Sequence, residues 1–160
     1  MTAAAATSAR PRRRPLRFHD FTDITADIAT LQSHGYDRAG NWSLGQICDH
    51  LRLAVDSSIH GFGEIRTPPL FRVFGPLFLR ITLARKRIPA GAPAPAAYLP
   101  SAAGDETAAV ERFLQSLAAF ANFAGPAMRN PLFGPMTLDQ WRRLHLIHAA
   151  HHLGFLTPRP

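Results

Sequence analysis

The chain has 160 residues, which is enough for one domain with its own hydrophobic core. Hydrophobic residues make up 46%, and the single cysteine, Cys48, excludes an internal disulfide and fits a reducing cytoplasm. The net charge of +7 is unevenly placed: the first 17 residues hold five arginines and no acid, which leaves 13 basic against 11 acidic residues elsewhere. This small remaining excess argues against a surface that binds a nucleic-acid backbone, so we expect no specific nucleic-acid partner.

Residues 1–17 are predicted to form a disordered tail, followed by one helical domain over residues 18–160. The tail is rich in alanine and then in arginine and proline, and it offers few apolar side chains to bury. No apolar segment follows the arginines, which argues against a secretory signal, whereas a mitochondrial-type transit peptide is the less favoured alternative. We therefore expect removal of the tail to leave stability nearly unchanged.

Two helices are predicted in the first third of the domain. The first has a single apolar stripe at helical spacing and ends at His34-Gly35; the stripe contains Phe21, Ile24, Ile28 and Leu31. Ser43 followed three residues later by Gln46 is a capping-box pattern, which predicts that a second helix begins there and runs to about His60.

Leu70 to Leu83 is apolar but carries two arginines and the internal Pro76, so it is too short and too charged to span a bilayer. It is predicted to be a kinked helix or two short helical pieces. A helix buried against the rest of the domain is favoured over one lying on a membrane surface, which the phenylalanines and basic residues would also allow. The loop from Ile88 to Gly104 is a candidate cover for a site.

The last third predicts two further helices. Asp105 is the N-cap candidate of one, and Thr137 with Gln140 forms a second capping box for the other, which runs to about Phe155. No segment shows sustained alternation of apolar and polar residues, so no strand is predicted. The fold class is therefore all-α, a bundle of four main helices with an additional short helical insertion.

The last helix carries a cluster of histidines. Four lie within eight consecutive positions, namely His145, His148, His151 and His152. His148 and His152 are four residues apart, so their rings project from one face of the helix and could bind one divalent metal ion. Imidazole ligands suit zinc, nickel or iron. A third ligand has to come from another element.

His50 is the candidate third ligand. It lies seven residues after Ser43, or ~10 Å into the second helix, and the midpoint of His148 and His152 lies ~8 Å from the end of the last helix. The three rings reach a similar height if the two helices run antiparallel. Cys48 points away from His50 on the same helix and is a poor ligand candidate.

Plainer roles stand beside these assignments. His50 could be a hydrogen-bonded core residue, and histidines four residues apart also occur on polar faces without binding metal. His151 is expected at the surface. His145 either orients a ligand, contacts substrate or packs in the core. The zinc-protease pattern is not supported, because Ala149 occupies the position where that motif needs a glutamate.

Several segments together resemble a known family. They are residues 40–47 (GNWSLGQI), 49–51 (DHL), 130–134 (NPLFG), Trp141 and 144–153 (LHLIHAAHHL). In this combination the chain is similar to the DUF1569 group of the DinB/YfiT-like metalloenzyme superfamily. The resemblance implies a four-helix bundle and a divalent metal ion held by His50, His148 and His152. It also makes His145 and Trp42 candidates for supporting the ligands or contacting substrate.

The resemblance makes thiol-dependent S-transfer or a related small-molecule transfer the first functional hypothesis. The partners would then be a small-molecule substrate and a low-molecular-weight thiol, and a homodimer is compatible with the sequence. The alternative is a non-catalytic, stress-associated binding or dimerisation bundle whose metal is structural or absent.

Overall fold

The computed structural model describes residues 12–89, 96–100 and 104–160, and its main elements are five α-helices. They are α1 (Phe21–His34), α2 (Leu44–His60), α3 (Pro69–Arg85), α4 (Glu106–Ala121) and α5 (Leu138–Leu153). A short 3-10 turn, Ala96–Tyr98, lies in the segment predicted as a loop. The predominantly helical fold expected from the sequence is confirmed.

The helices begin at the residues that the sequence indicated. The Ser43 side chain accepts a hydrogen bond from the backbone N–H of Gln46, whose own side chain accepts from the Ser43 backbone, so the capping box is complete. Thr137 and Gln140 repeat this arrangement at the start of α5. Asp105 caps α4 through the backbone N–H of Ala108. These local contacts satisfy donors that a helix start leaves unpaired, and they fix where α2 and α5 begin.

Helices α2 and α5 run antiparallel, which is the arrangement that brings the rings of His50, His148 and His152 to a similar height. His50 contacts His148, whereas Ser58, further along α2, contacts His145, which lies earlier in α5. The core around this pair is apolar, with α1 and α4 supplying the other walls; its fully buried residues include Ile24, Ile28, Leu31, Leu44, Phe113, Phe120, Trp141 and Leu153.

Two short strands form a sheet that the sequence analysis did not predict. Strand β1 (Tyr36–Arg38) pairs antiparallel with β2 (Leu156–Pro158), with Asp37 opposite Thr157. Three residues are too few to show alternating hydrophobicity, which is why the expectation of no strand was wrong. Since β1 precedes α2 and β2 follows α5, the pairing joins the start of α2 to the end of α5, close to the histidines.

Helix α3 is continuous through Pro76, so the alternative of two separate pieces is wrong. Only one face is buried, the one that carries Gly75, Leu79 and Leu83. Gly75 has no side chain and lies so close to the Leu132 carbonyl that a Cβ there would overlap that oxygen. The opposite face exposes five large apolar side chains, namely Leu70, Val73, Phe74, Leu77 and Ile81. The expectation of a buried helix therefore holds for half of its circumference. Among the described residues, no helix is long and apolar enough to cross a membrane.

Residues 12–17 differ from the predicted disordered tail. The Arg14 guanidinium forms a two-pronged ion pair with Asp27 at 2.7 and 2.9 Å, and its backbone N–H donates to the Gly154 carbonyl at 2.7 Å. The Arg13 side chain donates to the His151 carbonyl. The segment thus packs on α1 through a partly buried ion pair and on the end of α5 through hydrogen bonds, neither of which composition alone reveals. The rest of the predicted tail, residues 1–11, lies outside the described residues.

Candidate metal centre

Three histidines from α2 and α5 meet in one cluster. Their ligand-capable nitrogens all lie within 4.8 Å of one another. The Nε2 atom of His148 lies 3.0 Å from Nε2 of His50 and 3.1 Å from Nε2 of His152. Nitrogens bound to one tetrahedral zinc ion at 2.0–2.1 Å would be about 3.3 Å apart, so small ring movements suffice to hold a metal ion.

A backbone carbonyl fixes the ring of His50. Nδ1–H of His50 donates to the carbonyl oxygen of Tyr98 at 2.6 Å, and because that oxygen can only accept, Nδ1 carries the proton. The neutral ring then directs the lone pair of Nε2 towards His148. Metal-ligating histidines generally donate their second ring N–H in this way. Tyr98 is itself anchored, since its hydroxyl lies 2.7 Å from the Ser57 hydroxyl.

Trp42 packs against two of the three rings. Its ring is stacked on His152 with centroids 5.4 Å apart and is tilted against His50 at 5.0 Å. Trp42 lies just before the capping box of α2, so the same local structure that begins the helix also positions this ring. The indole therefore covers one side of the cluster.

The cluster is held in the neutral form that metal binding requires. Burial lowers the pKa of His148 well below its usual value, and the neighbouring rings of His152 and His50 add to the effect. Burial likewise lowers the pKa of His152 to about 2 and lowers the pKa of His50. Because neutral imidazole is the ligand form, and because the nitrogens converge, the donor set fits a divalent ion such as zinc.

His145 lies in the core one turn away from the cluster. Its Nε2 is 3.0 Å from the hydroxyl of Ser58, which donates its own proton to the Val55 carbonyl, so Nε2–H of His145 is the donor. The ring stacks on Trp141 with centroids 5.3 Å apart. Burial lowers the pKa of His145 to about 3. His145 is outside the triad, although it lines the adjacent cavity.

His151 is buried, and the expectation of a surface position was wrong. Its Nδ1 lies 3.0 Å from the Arg13 guanidinium and 3.1 Å from the Ile88 carbonyl. The segment before α1 covers the ring, and no spacing within α5 could predict that cover. His151 does not belong to the triad, and neither does Cys48, which is buried in the core, where burial raises the pKa of its thiol.

A cavity of about 990 Å³ lies beside the triad, and all three histidines line it. Most of its remaining wall is aromatic or aliphatic and includes Phe62, Phe71, Phe78, Leu99, Leu132 and Phe133. The described parts of the 88–104 loop border the site, since four of their residues line the cavity: Ile88, Pro89, Tyr98 and Leu99. Among the described residues, no aspartate or glutamate lines this cavity.

The sequence analysis identified the three histidines that the structure brings together, but it missed the groups that orient their rings. The carbonyl of Tyr98 positions His50, and a backbone group leaves no signature in the sequence. The loop around Asn130 was noted as a motif, and the structure shows why it is compact. Asn130 Oδ1 accepts hydrogen bonds from the backbone of Leu132 and Phe133, which places that loop in the cavity wall.

The fold and the site define a mainly helical protein with a histidine cluster able to hold a metal ion. The family described as "Protein of unknown function (DUF1569)" matches residues 10–159, and the chain belongs to this family. No curated protein matches the chain, and no solved structure does.

Proposed function

We propose that this protein is an enzyme that binds one divalent metal ion through His50, His148 and His152 and transfers a low-molecular-weight thiol to a small-molecule substrate whose apolar part lies in the adjoining cavity. The observation that carries the proposal is the convergence of three neutral imidazoles at the wall of a large apolar cavity. Zinc, nickel and iron all suit these ligands. His145 and Trp42 are proposed to support the ligands or contact the substrate.

The open cavity favours a catalytic site over a structural one. Structural zinc sites are closed by four protein ligands, whereas catalytic sites use three and leave a position for water or substrate. Here the chain offers three histidines, and the cavity adjoins them. The second candidate, a non-catalytic bundle with a structural metal, does not account for a large cavity next to the histidines.

The lining of the cavity favours a thiol as nucleophile. Water attack usually needs a general base, and the described cavity wall contains no carboxylate. A bound divalent ion would lower the pKa of a thiol towards neutrality. In the transfer the thiol loses its proton to solvent, a carbon–sulfur bond forms at the substrate, and the leaving group departs into solvent as an anion with the electron pair of the broken bond. Trp42 and the Tyr98 carbonyl keep the ligand rings oriented, while the apolar wall excludes water.

The contacts between helices support a finer assignment of the fold. Helix α2 contacts α4 and α5, α1 contacts the same two helices, and α3 packs beside α5. This is the arrangement expected of a four-helix bundle with an inserted helix, as in the DinB/YfiT-like superfamily that the motifs resemble. We propose that the chain shares that bundle.

Metal analysis of purified protein tests the ligand assignment. We expect about one divalent ion per chain, and loss of most of it in His50→Ala, His148→Ala or His152→Ala, because two imidazoles chelate far less well than three. His60→Ala is the matched control, since His60 is an exposed histidine at the end of the same helix as His50. Equal metal loss in His60→Ala and His50→Ala would overturn the assignment.

Thioether formation tests the reaction class. The metal-loaded chain is mixed with a low-molecular-weight thiol and an apolar electrophile, and the product is measured by mass spectrometry. We expect turnover that requires metal, is lost in His148→Ala and is retained in His60→Ala. If a fully loaded protein gives no rate above that of the free metal ion with a panel of such electrophiles, the transferase proposal fails while the metal site stands.

A further inference from the structure

A second, smaller cavity lies on the other side of His151, and its wall is strongly cationic. It measures about 320 Å³ and is bordered by the 12–17 segment, the end of α3 and the residues that follow α3. Six cationic side chains line it, namely Arg13, Arg14, Arg17, Arg85, Lys86 and Arg87. No acidic residue among the described ones lines it, and only Arg14 has an ion-pair partner, Asp27. Five positive charges therefore surround one concave space without a counter-charge.

The two cavities share a wall. Arg85, Arg87, Ile88 and His151 border both of them. The wall of the large cavity thus contains the histidine triad, two arginines and mainly apolar side chains. The charge also continues along the chain, because residues 65–104 contain six basic residues and no acidic one.

We propose that the large cavity binds an amphipathic anion, whose apolar body lies beside the triad and whose carboxylate or phosphate lies at Arg85 and Arg87, the two cations that border both cavities. Guanidinium groups match carboxylate and phosphate oxygens in geometry, and an anion here would relieve the mutual repulsion of the unpaired cations. Burial lowers the pKa of Arg13, and repulsion from the charge of Arg87 lowers it further. That the ligand is also the substrate rests on the proposed function; its binding does not.

Calorimetric titration of the full chain with four probes tests the ligand class. The probes are decanoate, decyl phosphate, decanol and inorganic phosphate, each used below its micelle-forming concentration. We expect both amphipathic anions to bind at least tenfold more tightly than decanol or inorganic phosphate. Decanol binding as tightly as decanoate would remove the role of charge. Inorganic phosphate binding as tightly as decyl phosphate would remove the role of the apolar cavity. Either result overturns the proposal.

Paired variants on and just after α3 test the location. Arg85→Gln/Arg87→Gln removes two cations that border both cavities, whereas Arg72→Gln/Arg80→Gln removes two exposed cations of α3 that border neither. We expect the first pair to weaken decanoate binding at least tenfold and the second to change it less than twofold. Equal effects of the two pairs would show that only the net charge matters.

A second pair tests the apolar part. Phe78 lines the large cavity, whereas Phe74 is on the exposed face of α3. Phe78→Ser should weaken decanoate binding at least fivefold and Phe74→Ser should not, and the reverse order would contradict the proposal.

Titrations with decanoate before and after metal removal separate the amphipathic-anion site from the metal site. If the chain holds its full complement of metal but does not bind decanoate, the amphipathic-anion site alone is refuted. If the chain binds decanoate but holds no metal, the metal site alone is refuted.

Discussion

The histidine triad and the cationic cavity both use α5, but they are assembled in opposite ways. The triad takes its side chains from the regular helices α2 and α5, and their spacing along the chain already implies where they point. The cationic side chains of the second cavity come from residues 13–17 and from residues 85–87, two segments that lie far apart in the sequence. Local spacing therefore locates the histidine triad, whereas packing between distant segments creates the second cavity.

The largest effect is expected where the N-terminal segment attaches. Asp27→Asn removes the partner of Arg14 in a pair whose two side chains are 12% and 20% exposed, and it should lower the free energy of unfolding by about 2–3 kcal/mol. Urea denaturation measures this loss. The matched control is Asp37→Asn, which breaks a pair with Arg159 that is more than half exposed and should cost less than about 1 kcal/mol. If Asp27→Asn lowers the free energy of unfolding no more than Asp37→Asn does, the N-terminal segment does not stabilise the domain through this ion pair.

The pH dependence of stability tests the core beside the triad. The pKa of His145 is about 3 when folded and near 6.5 when unfolded, so below pH 6.5 the unfolded chain binds a proton that the folded chain rejects. Its contribution is complete above pH 6.5 and declines down to about pH 3. Between pH 7 and pH 5 the native chain should lose about 2 kcal/mol more than His145→Gln, as measured by urea denaturation of metal-free protein at both values. Identical losses would show that His145 is not buried in its neutral form.

A smaller effect is expected from crowding the end of α5. A Cβ at Gly154 would lie 2.8 Å from the Arg14 carbonyl oxygen and 2.9 Å from that of Ala150, whereas a Cβ at Gly63 would meet nothing within 4 Å. Gly154→Ala should lower the free energy of unfolding by about 1–2 kcal/mol and displace the segment, while Gly63→Ala should stay within about 0.5 kcal/mol of the native value. If Gly154→Ala leaves the free energy of unfolding unchanged, the N-terminal segment does not lie against this glycine.

The sequence was sufficient for the elements that depend on neighbouring residues. The capping boxes at Ser43 and Thr137 placed the starts of α2 and α5 to the residue, and helical spacing put His148 and His152 on one face. The antiparallel course of α2 and α5 brings His50 to these two histidines, as the distances along the two helices predicted. Each of these inferences uses residues within a few turns of one another, where backbone geometry is regular.

What the sequence could not supply depends on contacts between distant residues. The burial of His151 comes from Arg13, 138 residues earlier, and the orientation of His50 comes from a carbonyl 48 residues later. Strands β1 and β2 are too short to show a pattern of their own and exist because they pair with each other. Composition suggested disorder for residues 12–17, since it counts few apolar side chains and ignores the ion pair to Asp27.

The most direct test of an open metal centre is the visible spectrum of the chain loaded with cobalt(II), recorded before and after addition of a low-molecular-weight thiol. We predict one cobalt ion per chain, absorption typical of low coordination number, and a new thiolate-to-cobalt band when thiol is added, because three histidines leave one position open towards the cavity. His60→Ala should behave like the native chain, and His50→Ala should not bind the ion. Stoichiometric cobalt with a spectrum unchanged by thiol would contradict an open coordination position, and failure to bind cobalt at all would contradict the metal centre itself.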